Sequence, residues 1–340
     1  MKRHKITSSA LALALLLALT IPVPAFAFEK LFYYFDNVYG YDNFKKNSKD
    51  VDIIAPQMYT VGYDFKIKKP STKSLKLVRE SKKKRVDTLP LLVNADFSKI
   101  LMSDILLQQD VQDDIIEFMI EEAEDRGYAG WQFDFENINH LDRDMYSAFV
   151  AKTYEALKKE NLQFSVAVIT RFRDYDPNSS NQDWSSAYDY KAIAANSDFV
   201  SLMSYDDPYS VGPVASLPWT KKILDYMMTQ IPNEKISLGI PLYCWKWDDQ
   251  INMRVGSLTQ GLALKEYNKG SRGRKKGYDK DLGAYYYKYE LNNQNYTTWC
   301  ESEQSIKEKM DLIEKYDLHG FSAWAIGQEA TWFWRQMKKY

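Results

Sequence analysis

Histidine is scarce, with three in 340 residues, one of them at position 4. A catalytic triad or a zinc site built on imidazole therefore has too little material. Cysteine is as sparse: Cys244 and Cys300 stand alone, so no thiolate cluster exists, and the pair forms either one disulfide or two small buried hydrophobes. An excess of one charge is lacking too. The 45 Lys and Arg against 46 Asp and Glu leave a net charge of −1, which provides no overall basic field for nucleic acid or an anionic membrane surface. Nucleic acid is not an expected partner, and neither a metal nor a cofactor is expected, since no acidic loop has calcium-binding spacing. Long apolar runs are absent apart from Ala10 to Leu19. At about ten residues it is half of what a membrane span needs.

That run follows Lys2, Arg3 and Lys5 and precedes Pro22, Pro24 and the small-x-small stretch Ala25-Phe26-Ala27. Residues 1–27 thus read as a secretory signal peptide. Residues 28–340 then form a mature chain that is exported to the medium or cell envelope and has no membrane contact. It is expected to be a monomer.

What is abundant is ring and strand. Aromatic residues make up 15% of the chain, including 25 Tyr and 9 Trp, and β-branched and aromatic runs recur at 30–36, 51–59, 88–93, 130–136, 163–170, 199–205, 235–243 and 320–326. Amphipathic helical patterns separate them, as in 110–126 and 143–160. Strand then helix, eight times over, predicts a (β/α)8 TIM barrel in the α/β class. One interval breaks the rhythm. From about 245 to 303 a Gly, Lys and Arg stretch at 269–277 is followed by Ala284–Glu290 and Tyr296–Glu301 around Asn292-Asn293. A solvated flexible loop and a β-hairpin, inserted after the seventh strand, are expected there.

The chemistry concentrates in the fourth strand. Alternation sends Trp131, Phe133 and Phe135 to one face and Gln132, Asp134 and Glu136 to the other. A parallel barrel strand has no solvated face, and burying carboxylates without use costs several kcal/mol. The polar set therefore points to a site. Glu136 stands at the strand's C-terminal end, where barrel active sites are built, and beside Asp134 its proton should be held above the usual carboxylate range. That is the state a general acid needs.

These residues make the chain resemble the family-18 glycoside hydrolases, among them chitinases and bacterial cell-wall N-acetylglucosaminidases. The family's fourth-strand pattern D-G-x-D-x-D-x-E corresponds to Ala129 through Glu136, with the last two acids matched and the first two replaced by Ala129 and Gln132. Further similarity lies in Ala187 to Lys191, Met203-Ser204-Tyr205-Asp206, Gly212 to Ala215, Gly239 to Tyr243, and Gly320-x-x-x-Trp324. The resemblance implies that Glu136 is the proton donor and Asp134 its partner toward the substrate acetamide. It implies too that Tyr205 and Asp206 grip that acetamide and that Trp324 forms the floor beneath the scissile sugar. Met203 is expected beneath the sugar, Gln132 in place of a proton-sharing acid, and Tyr59 and Trp247 as rings at strand ends able to stack on sugar faces. The partner is then an N-acetylglucosamine-containing polysaccharide, peptidoglycan or chitin, cleaved at β-1,4 bonds with retention by the substrate's own N-acetyl oxygen. A catalytically weak sugar-binding protein on the same barrel is the competing expectation, motivated by Ala129 and Gln132.

Overall fold

The computed structural model describes residues 28–174 and 183–340. Residues 1–27, expected from the sequence to be a signal peptide, lie outside them. Eight parallel strands follow one another around a closed ring: β1 (Glu29–Tyr34), β2 (Ile53–Val61), β3 (Leu91–Asn94), β4 (Gly130–Phe133), β5 (Gln163–Ile169), β6 (Phe199–Met203), β7 (Ile236–Pro241) and, after an insertion, β13 (Gly320–Trp324). Each pairs with the next, and β13 closes onto β1. Helices lie between strands, and the (β/α)8 barrel expected from the sequence is what forms.

Local chemistry explains the framework. Helix Gln109–Arg126 stops at Gly127, which takes a left-handed φ of 62° and donates its N–H to the Ala123 and Glu124 carbonyls. Gly130 is required by sheet closure: a Cβ there would sit 1.9 Å from the Gln163 carbonyl oxygen of β5. The aromatic face of β4 packs outward as its alternation demands. Phe133 meets Phe149 and Phe164, and the Trp131 indole donates to the Met119 carbonyl at 2.8 Å.

The insertion is larger than the hairpin its pattern suggested. Five antiparallel strands, β8 (Tyr243–Asp248), β9 (Met253–Thr259), β10 (Lys275–Asp279), β11 (Ala284–Leu291) and β12 (Gln294–Cys300), form a second sheet in the order β9-β8-β12-β11-β10. Helix Gln260–Lys269 follows β9 and packs against β11. The 269–277 stretch is therefore not a loop throughout: Lys275–Asp279 is an edge strand. Asn292 and Asn293, both at positive φ, turn the β11–β12 hairpin. Cys244 and Cys300 form a disulfide between β8 and β12. Beneath the sheet, Lys309 is fully buried. Its ammonium donates to Glu301 and, at 3.0 Å, to the Ala215 carbonyl, pinning the insertion to the loop after β6.

Candidate active site

A cleft of about 1400 Å³ opens at the C-terminal ends of the barrel strands and runs beneath the inserted sheet. Its lining brings together Asp134, Glu136, Met203, Tyr205, Asp206, Trp247 and Trp324. Seven residues singled out from the sequence, drawn from the chain just past β4, from the end of β6 and the residues after it, from the inserted sheet and from the last barrel strand, thus share one cavity.

Glu136 is held by its backbone. Its N–H donates to the Asn94 side-chain oxygen at 3.1 Å, and the Asn94 amide donates back to its carbonyl at 3.1 Å. Asp134 donates its N–H to the Leu92 carbonyl at 3.0 Å. Asn94, the last residue of β3, thus continues the β3–β4 ladder beyond the end of β4, replacing backbone with a side-chain amide. On the outer side the Tyr188 hydroxyl donates to the Phe135 carbonyl at 2.8 Å. Burial pushes the Glu136 carboxyl well above the usual carboxylate range, and the negative charges of Asp134 and Asp206 push it further. Burial raises Asp134 as well. Both carboxyls hold protons at a pH where an exposed acid has lost its own.

Asp206 follows β6 with a left-handed φ of 58°, a conformation that costs a non-glycine residue energy and is often found at working sites. Its carboxylate accepts a hydrogen bond from the Tyr243 hydroxyl at 2.6 Å. Desolvation pushes the Asp206 carboxyl up, while Tyr243 and the nearby Arg254 pull it down. The Tyr205 phenol is driven far above its ordinary range by burial and stays a neutral donor. Trp324 rests on Tyr33 and Phe35, with ring centroids 5.3 and 6.0 Å away. The Trp247 indole donates to the Gly212 carbonyl at 2.7 Å, which fixes its ring edge-on to Trp245.

Two expected site residues lie elsewhere. Tyr59 is fully buried outside the barrel wall, where its hydroxyl bonds Glu122 at 2.8 Å and its ring packs on Trp131. The cause is a bulge: Gln57 pairs with Leu91 and Tyr59 with Leu92, so two β2 steps oppose one on β3 and Tyr59 is turned to the opposite face. Gln57 lines the cleft in its place. Gln132 points inward as alternation requires, but one layer too deep to touch a ligand. Its amide donates to Ser165 at 2.8 Å and Ser201 at 3.0 Å. Ser322 bonds Ser201 and Ser237 at 2.8 and 2.6 Å and completes a serine floor.

The sequence reading missed Asn94, Gln57, Tyr33 and Arg254. The guanidinium of Arg254 lies 4.3 Å above the Trp245 ring. Nothing in a lone Arg of an inserted strand signals that placement, whereas the bidentate clamp of Asn94 is at least consistent with its position at the C-terminal end of a barrel strand.

The family model described as "Glycosyl hydrolases family 18" matches residues 26–329. The chain is 29% identical to the "Uncharacterized glycosylase YvbX" of Bacillus subtilis over 268 residues, 76% of either chain. It is 29% identical to the "Cortical fragment-lytic enzyme" of the same organism over 69% of this chain, but only 55% of that protein's length. The solved spore cortex-lytic enzyme SleL of Bacillus megaterium superposes with a TM-score of 0.81 at 25% identity, covering 92% of this chain and 73% of that one.

Proposed function

This chain belongs to glycosyl hydrolase family 18, and from that premise we propose that it is a secreted hydrolase of β-1,4 bonds next to N-acetylglucosamine that works by substrate-assisted retaining catalysis. The observation that carries the reading is the pairing, at the mouth of the barrel, of two carboxyls that both resist ionisation. Residues 1–27 serve as the leader that directs export. The cortex-lytic names of the Bacillus relatives favour a bacterial wall glycan as the polymer.

In this mechanism the sugar to be released sits on the Trp324 ring. Glu136 gives its proton to the glycosidic oxygen as the bond from that oxygen to C1 breaks. The carbonyl oxygen of the C2 acetamide forms a new bond to C1 from the opposite face, giving a cationic oxazolinium ring. Asp134 accepts a hydrogen bond from the acetamide N–H, and Tyr205 and Asp206 hold the group in line, so reactive geometry exists before the bond breaks. Water then attacks C1 as the bond from C1 to the acetamide oxygen breaks and the neutral acetamide is restored, and the water's proton returns to Glu136. Two inversions at one carbon retain the β configuration. Gln132 takes no proton in this scheme; the serine floor leaves it an orienting amide.

The test is digestion of purified peptidoglycan and of chitin oligomers by the wild type and by Glu136→Gln, with products read by mass and the first anomer by proton NMR. The wild type should release a β reducing end, be inhibited by a thiazoline analogue of the oxazolinium ring, and lose at least about 10²-fold in kcat on Glu136→Gln. An α first product, or turnover that survives the substitution, refutes the reading.

A further inference from the structure

The inserted sheet is strongly asymmetric in charge. Between positions 265 and 288 the sequence carries eight Lys and Arg against three acids in a chain of net charge −1. The edge strand β10 pairs on one side only, and its register sets Lys275 directly opposite Lys288 of β11. Like charges facing each other across a ladder are destabilising. Both are exposed, and among the described residues neither makes an ion pair. Lys269, Arg272, Arg274 and Lys276 surround them, equally exposed and equally without an acid partner. Among the described residues no acid is ion-paired with any of these six cations.

Register shows where that charge points. Lys288 is opposite Thr297 of β12, and Thr297 is opposite Trp247 of β8. The neighbouring row on the same face runs Trp245, Trp299, Tyr286 and Gly277. Residues opposed across a ladder share a face, so Lys288 and Lys275 lie on the face that presents Trp245 and Trp247 to the cleft. At one strand spacing per step they stand about 10 and about 14 Å from the Trp247 strand. Lys276 belongs to the other face, with its ammonium 5.7 Å from the Tyr267 ring.

We propose that the Lys275–Lys288 edge is an auxiliary binding surface for the carboxylates of an anionic glycan whose strand leaves the cleft past Trp247. This deepens the assigned function, and rests on it, by naming the substrate class as a carboxylate-bearing polymer rather than a neutral one. A neutral chitin strand gains nothing at this edge. A polymer carrying a carboxylate on alternate sugars or on side peptides meets two cations within reach of the same sheet face.

The experiment compares the wild type with Lys275→Gln/Lys288→Gln and with the opposite-face control Lys276→Gln. Binding is measured by co-sedimentation with peptidoglycan sacculi stripped of phosphodiester polymers, with unstripped sacculi and with chitin beads, at low and high salt. The double substitution should raise the apparent Kd for stripped sacculi about 3- to 10-fold at low salt. That difference should vanish at high salt, and binding to chitin should not change. The control should behave as wild type. An unchanged Kd on stripped sacculi, an effect confined to unstripped sacculi, or an equal loss on chitin overturns the proposal. Failure of the underlying hydrolase reading shows separately, as absence of new reducing ends from either polymer with the wild type, and leaves the binding comparison readable.

Discussion

Replacing Asp134 by Asn removes a negative charge that opposes ionisation of Glu136. Both residues send their backbone N–H toward β3, so the intervening chain is extended and the two Cα atoms stand about 6.6 Å apart. Two unit charges about 7 Å apart at an effective dielectric of about 20 repel by about 2.4 kcal/mol, equivalent to about 1.7 pH units for the neighbour's titration. Burial also raises Asp134, to about 7 against about 8 for Glu136, so Asp134 is largely ionised where Glu136 titrates and most of that movement is expected. Its sign is fixed: with the neighbouring charge gone, Glu136 ionises more readily and the protonated acid is lost at lower pH. The alkaline limb of kcat/KM should therefore move down in Asp134→Asn, on top of a lower overall rate. The measurement is the pH profile of residual hydrolysis of chitin oligomers, supported by carbon NMR of the Glu136 carboxyl. Thermal unfolding gives a second reading. A carboxyl whose proton is held more tightly in the folded state contributes stability that is complete below the ordinary carboxylate range and is lost as pH rises through the raised value. Asp134→Asn should thus unfold at a higher temperature than wild type at alkaline pH, with the advantage shrinking in acid. An alkaline limb that stays in place or moves upward refutes the electrostatic coupling.

Other consequences follow from the packing. Asn94→Ala removes both clamps on the Glu136 backbone and should lower kcat about 10- to 10²-fold with little change in KM, read by steady-state kinetics; an equal loss in binding would point to a collapsed cleft. Lys309→Ala leaves Glu301 buried without its cation and should cost about 3–5 kcal/mol, measured as a shift in the denaturant midpoint at constant slope. Reducing the Cys244–Cys300 disulfide, which closes a sequence separation of 56 residues, should remove about 4 kcal/mol of stability, with loss of inserted-sheet protection in hydrogen exchange ahead of the barrel.

The barrel was readable because its strands are buried on both faces and so carry short, mainly apolar and aromatic runs, and because β4 and the extended residues after it alternate Trp131, Phe133 and Phe135 against Gln132, Asp134 and Glu136. Alternation tells inward from outward but not how deep. That is why Gln132 was expected at the ligand and lies instead among serines. At Tyr59 the alternation itself fails, since one extra residue at Met58 changes the face, and a bulge has no mark in the local sequence here. The edge strand Lys275–Asp279 has neither a β-branched residue nor a period of two in hydropathy; it is a strand because β11 templates it. Asn94 meets the Glu136 backbone and Arg254 reaches the cleft through tertiary placement, and no local pattern predicts that.

The serine floor under Asp134 sets the direction of proton traffic. Gln132 and the four hydroxyls of Ser165, Ser201, Ser237 and Ser322 do not titrate near neutral pH, and burial pushes the Tyr33 phenol beside them far above its ordinary range. These groups therefore store no proton near neutral pH. Every proton that reaches or leaves the carboxyl pair crosses the cleft mouth, the same opening the glycan fills. While sugar is seated the catalyst is a closed vessel holding a fixed complement of protons, and the one that Glu136 gives to the leaving group is returned in the same cycle by the attacking water. Successive cleavages on a long polymer then need no proton from bulk solvent, and turnover at fixed pH should not depend on the concentration of added buffer acid.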